Sequence, residues 1–259
     1  PLKHARPSMS RRLRPFILRF DSLPSTNTEA ARQAALGADE GLCVVAREQT
    51  KGRGRLGRVW VSPPDAGLYF SVVLRPGLDA RAWPLLTLSA ALSVGDALSE
   101  ACGVEADIKW PNDLLAGGRK LCGILAEAVE TPRGRACVLG VGINLTRQSF
   151  PPELETTATS VESLTGTRPD VEAVLRELLR ALSERYARLH EPDGGAETIK
   201  EWSARSTYAE GRRVRVKTDA GTFEGTTRGL EPDGALRVET PSGDIQIVRA
   251  GDVETVRHT

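Results

Sequence analysis

The stretch Gln49-Thr-Lys-Gly-Arg-Gly-Arg-Leu-Gly-Arg-Val-Trp60 decides which folds this sequence allows. Its glycines Gly52, Gly54 and Gly57 have the GxGxxG spacing of a dinucleotide-binding turn, but that turn requires a helix that opens at the third glycine. Residues 59–64 are instead β-branched and aromatic and are then broken by two prolines. The context therefore excludes a nicotinamide or flavin fold. A Walker A loop is also excluded, because no Gly-Lys-Ser/Thr is present.

What remains is a glycine loop that carries Arg53, Arg55 and Arg58. Alternating glycine and arginine lets the backbone approach a ligand closely while guanidinium groups reach a phosphate or a carboxylate. The loop therefore indicates an anion site. A solvated basic loop that contacts no ligand is the alternative interpretation.

A second polar stretch is Lys109-Trp-Pro-Asn-Asp113, and Lys120 follows eight residues after Asn112. A strand ending at a proline, a polar pair on the turn and a lysine at the head of the next strand can form a binding site. Such a site suits the polar edges of adenine and, through Asp113, a magnesium ion. Lys120 could neutralise charge on a reacting carboxylate or phosphate. A surface turn with an exposed lysine is the alternative.

Two further motifs combine small and polar residues. In Gly140-Val-Gly-Ile-Asn-Leu145 the glycines permit close approach, and Asn144 offers a donor together with an acceptor. Ser25-Thr-Asn-Thr28 stands at a predicted helix start, where free N–H groups and hydroxyls suit a small polar head group. Helix capping explains the second motif equally well, and a core strand explains the first.

Hydrophobic periodicity predicts alternating helices and strands around these motifs. Asp170 is placed to cap a long amphipathic helix, and Thr26 with Glu29 has the form of a capping box. Helices are predicted at 25–36, 85–101 and 171–190, and strands at 42–46, 68–74, 108–110, 124–129 and 137–145, with a loop at 112–118.

The pattern of predicted secondary structure changes after Arg205. Short alternating strands at 214–216, 222–227, 235–238 and 245–248 are separated by turns rich in Gly and Pro. This pattern predicts a small β-barrel of the SH3-like kind, with a domain boundary near Tyr208.

The composition is that of an ordinary globular protein, with 40% hydrophobic residues and a formal net charge of +1. It gives no reason to expect a nucleic-acid or membrane-surface protein, and no apolar run reaches the roughly 20 residues of a bilayer-spanning helix. The four cysteines lie far apart without a CxxC pair, which argues against a zinc site or disulfide framework and for buried thiols in a reducing cytoplasm.

Together, five motifs make the sequence resemble the biotin–protein ligase family from about Phe20 to Arg257. They are Ser25-Thr-Asn27, Gln49 to Trp60, Lys109-Trp-Pro-Asn-Asp113, Arg119-Lys-Leu-Cys-Gly-Ile-Leu-Ala-Glu127 and Gly142-Ile-Asn-Leu145. The resemblance implies an α/β (α+β) catalytic domain over residues 20–207, similar to class II aminoacyl-tRNA synthetases and lipoyl ligases. It also implies an SH3-like C-terminal domain over residues 208–259. We expect residues 1–19 to be a flexible basic segment.

The resemblance further implies an ATP-dependent activity. Biotin would be activated to biotinyl-5'-adenylate with Mg²⁺ and passed to a lysine of a biotin carboxyl carrier protein. It also implies a homodimer, whereas the composition is the reason to expect a cytoplasmic location and no nucleic-acid or membrane partner. Some family members carry an N-terminal winged helix-turn-helix, and about twenty residues before the catalytic region are too few for one. We therefore expect a monofunctional ligase without a DNA-binding domain.

Site residues follow position by position from the same resemblance. Biotin-binding residues are expected at Ser25, Thr26, Asn27, Gln49, Arg53, Gly54, Arg55, Lys120 and Gly123. ATP- or adenylate-binding residues are expected at Arg55, Arg58, Trp60, Asn112 and Asn144. Catalytic roles fall to Lys120, Arg53 and Arg55, and Asp113 is the candidate magnesium ligand. Cys122 departs from the small inert residue expected there and would offer a thiol near the pocket.

Two other functions stay open on the sequence. A lipoate or octanoate ligase or transferase would share the architecture, although the Arg-Gly-Arg loop, Trp60 and the Lys-Trp-Pro-Asn-Asp run favour biotin. A nucleic-acid-binding module would use the basic loop and the barrel, and it predicts a steep salt dependence of affinity. The near-neutral net charge argues instead for a local anion site.

Overall fold

The larger domain of the molecule is a sheet covered by helices. The computed structural model describes residues 11–256, so the first ten residues of the predicted flexible segment lie outside it. The strands of the sheet are β1 (Phe16–Leu23), β2 (Leu42–Gln49), β3 (Gly67–Leu74), β4 (Asp107–Lys109), β5 (Asp113–Ala116), β6 (Arg119–Val129) and β7 (Ala136–Asn144). The helices are α1 (Thr26–Ala35), α2 (Pro84–Cys102), α3 (Val161–Thr165), α4 (Val171–Leu189) and α5 (Gly194–Ala204).

The seven strands lie in the order β1-β2-β3-β7-β6-β5-β4. Of their pairings, β1–β2 is parallel and the others are antiparallel. Helix α1 forms the connection between the two parallel strands, as such a pair requires. The mixed sheet with its helices confirms the predicted α/β class.

Opposite faces of this sheet carry different helices, because successive side chains of a strand point to opposite sides. On one face Val44, Val73 and Val138 pack against Ala30 and Ala34 of α1. The other face packs into the main core with α2 and α4. The two alanines let α1 lie close to the sheet, and the N-terminus of α1 reaches the middle strands.

The C-terminal domain is a five-stranded antiparallel sheet. Its strands are β8 (Glu210–Thr218), β9 (Gly221–Leu230), β10 (Leu236–Glu239), β11 (Ile245–Val248) and β12 (Asp252–Thr255), in the order β11-β10-β9-β8-β12. A small β domain is thus confirmed, while closure into an SH3-like barrel stays a prediction. Trp110 joins the two domains, because its Nε1–H donates to the carbonyl oxygen of Gly234 at 3.0 Å.

Three local predictions were wrong. Residues 16–19 do not belong to a flexible segment, because they form the start of β1, and Leu13 before them is buried in the core. Residues 112–118 are not a simple loop, because β5 lies within them and pairs with both β4 and β6. Thr26 and Glu29 do not form a capping box: Ser25 is the N-cap residue, and Glu29 accepts hydrogen bonds from Arg32 instead.

The predicted cap of α4 was confirmed. The Asp170 side chain accepts a hydrogen bond from the backbone N–H of Glu172 and caps α4 as predicted. The sequence suggested no apolar run of membrane-spanning length, but within residues 11–256 one helical stretch, Ala80–Cys102, is long and apolar enough to cross a membrane. About 61% of its most apolar window is buried inside the protein, as is usual for a core helix.

Candidate active site

Small residues at the centre of the large sheet create the space for the site. Gly140 and Gly142 of β7 lie on the face that carries α1. A Cβ atom at Gly140 would lie 2.0 Å from Asn27 Oδ1, and one at Gly142 would lie 2.5 Å from the Trp60 indole. Any larger residue would therefore displace the two side chains that rest on the strand. The predicted close approach to this strand is made by Asn27 and Trp60.

Asn27 is held in one orientation at the start of α1. Its Oδ1 lies 2.6 Å from Ser71 Oγ of β3, and its Nδ2 donates to Glu127 Oε2 of β6 at 2.9 Å. The Ser71 hydroxyl also lies 2.7 Å from Thr26 Oγ1, and Ser71 is fully buried. Two strands, β3 and β6, thus fix the first turn of the helix.

Gln49 connects this helix start to the segment after the glycine loop. Its Oε1 accepts from the backbone N–H of Thr26 at 2.8 Å, and its Nε2 donates to Ser62 Oγ at 2.8 Å. Ser25 lies beside them and is buried without capping the helix through its side chain. Four of the predicted biotin-binding residues therefore form one fixed polar group of neutral donors and acceptors.

Arg53 closes the glycine loop over the same polar group. Its Nη2 donates to Glu127 Oε1 at 2.5 Å, while the other oxygen of that carboxylate accepts from Asn27. Across the loop, Arg53 and Val59 form an antiparallel bridge, and Leu56 at the tip has a positive φ of 55°. Glu127 therefore links the loop to α1, a role that the sequence did not reveal.

Arg55 and Arg58 reach from the loop to the C-terminal domain. Arg55 Nη1 donates to Asn112 Oδ1 at 3.1 Å and to the carbonyl oxygen of Gly251 at 3.3 Å. Arg58 forms an ion pair with Asp252 of β12. Burial lowers the pKa of Arg55, and the nearby Asp252 opposes this shift. The guanidinium group remains a cation, because arginine is not deprotonated in proteins.

Lys120 stands at the head of β6 opposite the loop. Its Nζ lies 2.7 Å from Asp113 Oδ1 and 5.4 Å from the centre of the Trp60 ring. The indole Nε1 of Trp60 is buried and has no hydrogen-bond partner among the described residues. A buried unpaired donor is unfavourable, so this N–H is available to a bound ligand.

The two asparagines fasten strands around Lys120. Asn144 Nδ2 donates to the carbonyl oxygen of Thr159 at 3.1 Å, and Asn112 Nδ2 donates to that of Ile124 at 2.8 Å. The Oδ1 of Asn112 is bound by Arg55, as described above. Both side chains also line the cavities of the site.

Two cavities meet at Lys120. The smaller, of about 120 Å³, is lined by every predicted site residue except Asn144. The larger, of about 700 Å³, is lined by Asn144 and by residues of both domains. Trp60, Asp113 and Lys120 line both cavities. The sequence did not indicate Ser71, Gly251 and Asp252, whose contacts join distant parts of the chain.

The described residues offer no dedicated metal cage. Between positions 11 and 256, no three His, Cys, Asp or Glu side chains lie close enough together to hold an ion. The candidate ligand Asp113 is paired with Lys120. Magnesium commonly binds through substrate phosphates with one or two carboxylates and water. The site therefore fits an ion that arrives on a nucleotide rather than one that resides in the protein.

Cys122 lies next to the site in sequence, but its thiol is part of the core. The side chain is fully buried, and this burial raises its pKa far above the usual value. Because the thiolate is the reactive form, the group is inert at neutral pH. Cys43 and Cys137 are buried as expected, whereas Cys102 is partly exposed.

A mixed α/β domain thus holds a pocket lined by polar side chains, a basic loop and a lysine between two cavities, an arrangement that can bind two small ligands side by side. The sequence matches the "Biotin/lipoate A/B protein ligase family" over residues 19–144 and the "Biotin protein ligase C terminal domain" over residues 211–255.

Several relatives are similar over most of this chain. The bifunctional ligase/repressor BirA of Bacillus subtilis (strain 168) is 38% identical over 92% of this chain and 73% of its own length. The biotin–[acetyl-CoA-carboxylase] ligase of Mycobacterium tuberculosis is 37% identical over 90% of this chain and 86% of its own. The Aquifex aeolicus biotin protein ligase, solved with biotin and ATP, superposes with a TM-score of 0.81 at 30% identity, over 93% and 99% of the two chains. This chain belongs to the biotin–protein ligase family.

Proposed function

We propose that this chain uses ATP to activate biotin as biotinyl-5'-adenylate and then transfers biotin to a lysine of a carrier protein. The observation that carries the proposal is the junction of two cavities at Lys120. At that point a carboxylate from one cavity meets a phosphate from the other. The names of relatives, biotin–[acetyl-CoA-carboxylase] ligases, support a biotin carboxyl carrier protein as the acceptor.

The smaller cavity suits biotin. The fixed neutral groups of Ser25, Thr26 and Asn27 match the uncharged ureido ring, which needs donors and acceptors rather than charge. The carboxylate at the other end of biotin needs a cation, and Lys120 lines the same cavity. The larger cavity suits ATP, because Phe150 and Leu154 offer apolar surface to adenine beside the polar Asn144.

The charges of the site address the main obstacle to the reaction. An anionic carboxylate must attack the anionic α-phosphate of ATP, so cations have to gather there. Lys120 and Arg55 border the smaller cavity and supply two positive charges. The bond from the α-phosphorus to the bridging oxygen breaks, and pyrophosphate leaves with the electron pair. A magnesium ion carried by the ATP phosphates would offset further charge.

The glycine loop then protects the product. Water would hydrolyse this mixed anhydride. A loop held down through Arg53 and Arg55 keeps water out of the site until the acceptor lysine arrives. The neutral amine of that lysine attacks the carbonyl carbon, the bond from this carbon to the phosphate oxygen breaks, and AMP leaves with the electron pair. The nitrogen loses one proton to solvent, and an amide remains.

The remaining partners stay predictions. Magnesium, a homodimer, a cytoplasmic location and the absence of a nucleic-acid role follow from the resemblance and the composition. The same holds for the division of the chain after residue 207 and for the role of each site residue.

One assay tests the proposed function. The chain is incubated with ATP, magnesium, either a biotin carboxyl carrier domain or a lipoyl domain, and either biotin, lipoate or octanoate. The acceptor domain is then weighed by mass spectrometry. We expect one biotinyl group on the carrier, and none if ATP is omitted. A carrier that gains no biotin would overturn the proposal, and lipoyl or octanoyl transfer to a lipoyl domain would support the rival ligase.

A further inference from the structure

Arg212 differs from the other described arginines of the C-terminal domain in having no carboxylate partner. The other five each lie within 4.0 Å of an Asp or Glu oxygen: Arg213, Arg215, Arg228, Arg237 and Arg249. Arg212 lies near the start of β8, is half-buried, and makes no such pair with any described residue. A partly desolvated cation without a counter-charge is unfavourable, which points to an anion that binds there.

The Arg212 side chain is held in place while most of its donors stay unused. Its guanidinium carbon lies 5.2 Å from the centre of the Tyr208 ring, a cation–π contact. Its Nη2 reaches Thr255 Oγ1 at a long 3.4 Å, and its buried Nε has no partner among the described residues. An aromatic support of this kind orients the planar group without consuming its N–H donors.

This arginine lines the larger cavity together with Lys109 and Lys120. Two carboxylates also line that cavity, but both are engaged: Asp113 pairs with Lys120, and Glu254 pairs with Lys217 at 2.8 Å. Lys109 and Arg212 therefore bring positive charge that no described carboxylate within 4.0 Å neutralises.

The residues that line the larger cavity offer a surface for each part of the nucleotide. Apolar surface from Phe150 and Leu154 suits the base, and Lys120 marks the α-phosphate because the biotin cavity opens there. The β- and γ-phosphates then need cations other than Lys120 in the same cavity, and Lys109 and Arg212 line it without a carboxylate partner among the described residues. We propose that Arg212, with Lys109 beside it, binds these two phosphates and the pyrophosphate that forms from them. The inference rests on the proposed function.

The chemistry of the leaving group fits an arginine. When the bond from the α-phosphorus to the bridging oxygen breaks, the electron pair and the negative charge move onto pyrophosphate. A guanidinium can donate two parallel hydrogen bonds to phosphate oxygens, so it binds both ATP and the departing anion. Because Arg212 belongs to the C-terminal domain, the phosphate site is complete only when the two domains are together.

The test replaces Arg212 in the full-length protein. With Arg212→Gln we expect the KM for ATP and the inhibition constant of pyrophosphate each to rise about tenfold or more, as for one lost charge-assisted contact. The affinities for biotin and for AMP, which lacks these phosphates, should not change. The control is Arg215→Gln on the same strand, because that exposed arginine pairs with Glu224 away from the cavity.

Each other outcome overturns the proposal. An unchanged KM for ATP in a folded Arg212→Gln protein would do so, and so would a selective rise in the KM for the carrier. If Arg212→Gln does not fold, Arg212→Lys keeps the charge without the planar fork, and its KM for ATP should still rise. A wild-type chain that fails to biotinylate any carrier would instead refute the proposed function.

Discussion

At the residue scale, Lys120 is the side chain on which both substrates are expected to converge. Asp113 and the Trp60 ring hold its ammonium group between the two cavities. We predict that Lys120→Ala lowers the rate of adenylate formation by about a hundredfold or more, the usual loss when a charge contact to the transition state is removed. Biotin-dependent pyrophosphate release measures this rate.

The matched control is Lys200→Ala on α5, because Lys200 is exposed and lines neither cavity. It should release pyrophosphate at the wild-type rate. Near-normal release by the Lys120 variant would show that this lysine does not stabilise the reaction.

Arg55 is expected to hold the glycine loop in its closed position rather than to bind the ring of biotin. Its guanidinium contacts Asn112 and Gly251. In Arg55→Gly these contacts are lost, while Thr26, Asn27 and Gln49 still meet biotin. We predict that activation survives in part and that the adenylate escapes from the open site. Being a reactive anhydride, it should label lysines on an unrelated lysine-rich protein mixed with ATP and biotin.

Arg55→Lys is the control, since it keeps a cation at the same position. It should release less adenylate than the glycine variant. If the bystander protein gains no more biotin with Arg55→Gly than with the wild type, while carrier labelling stays normal, Arg55 does not retain the intermediate.

The sequence could indicate site residues that lie in motifs, but not their partners. Every residue predicted for the site lines one of the two cavities. Glu127 and Asp252 went unrecognised because their contacts cross 74 and 194 residues of chain, to Arg53 and Arg58. Ser71 left one signal, a polar residue inside the apolar run 67–74. A buried hydroxyl in such a strand needs a partner.

At the element scale, the loop 51–58 has a flexible glycine-rich backbone that a small number of contacts hold in place. Three glycines raise the entropy of its open state. The loop is held by side-chain contacts of its arginines and by a few backbone hydrogen bonds, such as the one from Gly54 N–H to the carbonyl oxygen of Arg58. We predict that its amides exchange hydrogen rapidly in the free protein. Biotin with a non-hydrolysable ATP analogue should slow that exchange, because an anion then holds the arginines. Hydrogen exchange with mass spectrometry measures the effect.

The control for this measurement is α4, whose buried amides should exchange slowly with and without ligand. Loop amides that are already slow in the free protein, and that ligand leaves unchanged, would contradict the prediction.

Element prediction succeeded where periodicity was long and failed where it was short. Helix α4 shows one-faced periodicity over 19 residues and was placed within one residue of its end. Strand β5 has four residues, and its partners are needed to distinguish it from a loop. Strand β6 starts at Arg119, five residues before the predicted start. The prediction missed these residues because they begin with Arg119 and Lys120 and end with Gly123.

At the scale of the whole molecule, the two domains meet at the active site. Arg55 and Arg58 contact Gly251 and Asp252 at the start of β12. Trp110 donates to Gly234, and Arg212 lines the larger cavity. The sequence predicted both domains from their different patterns of helices, strands and turns. It could not predict this placement, since the contacts depend on long-range packing that no local pattern records.

The helical layer behind the sheet depends on one buried charge network. Arg185 of α4 donates to Asp96 of α2 at 2.8 Å and to Glu201 of α5 at 2.7 and 2.6 Å, and its side chain is 9% exposed. Removing one partner of a buried pair leaves the others uncompensated. We predict that Arg185→Ala lowers the free energy of unfolding at pH 7 by about 3 kcal/mol, measured by urea denaturation. The control Arg180→Ala, on the exposed side of α4 beside Glu177, should lower it by about 1 kcal/mol or less.

The pH dependence separates this electrostatic cause from a loss of packing. The hydrogen bond from Arg185 lowers the pKa of Glu201 below its ordinary 4.5, against the opposing effect of burial. A carboxyl with a lowered folded-state pKa stabilises the protein above its unfolded pKa, and this contribution is lost as the pH falls through the folded value. The gap in unfolding free energy between wild type and Arg185→Ala should therefore be largest at neutral pH and shrink below about pH 4.5. A gap that stays constant down to pH 3.5 would mean that Arg185 stabilises the helices by packing alone.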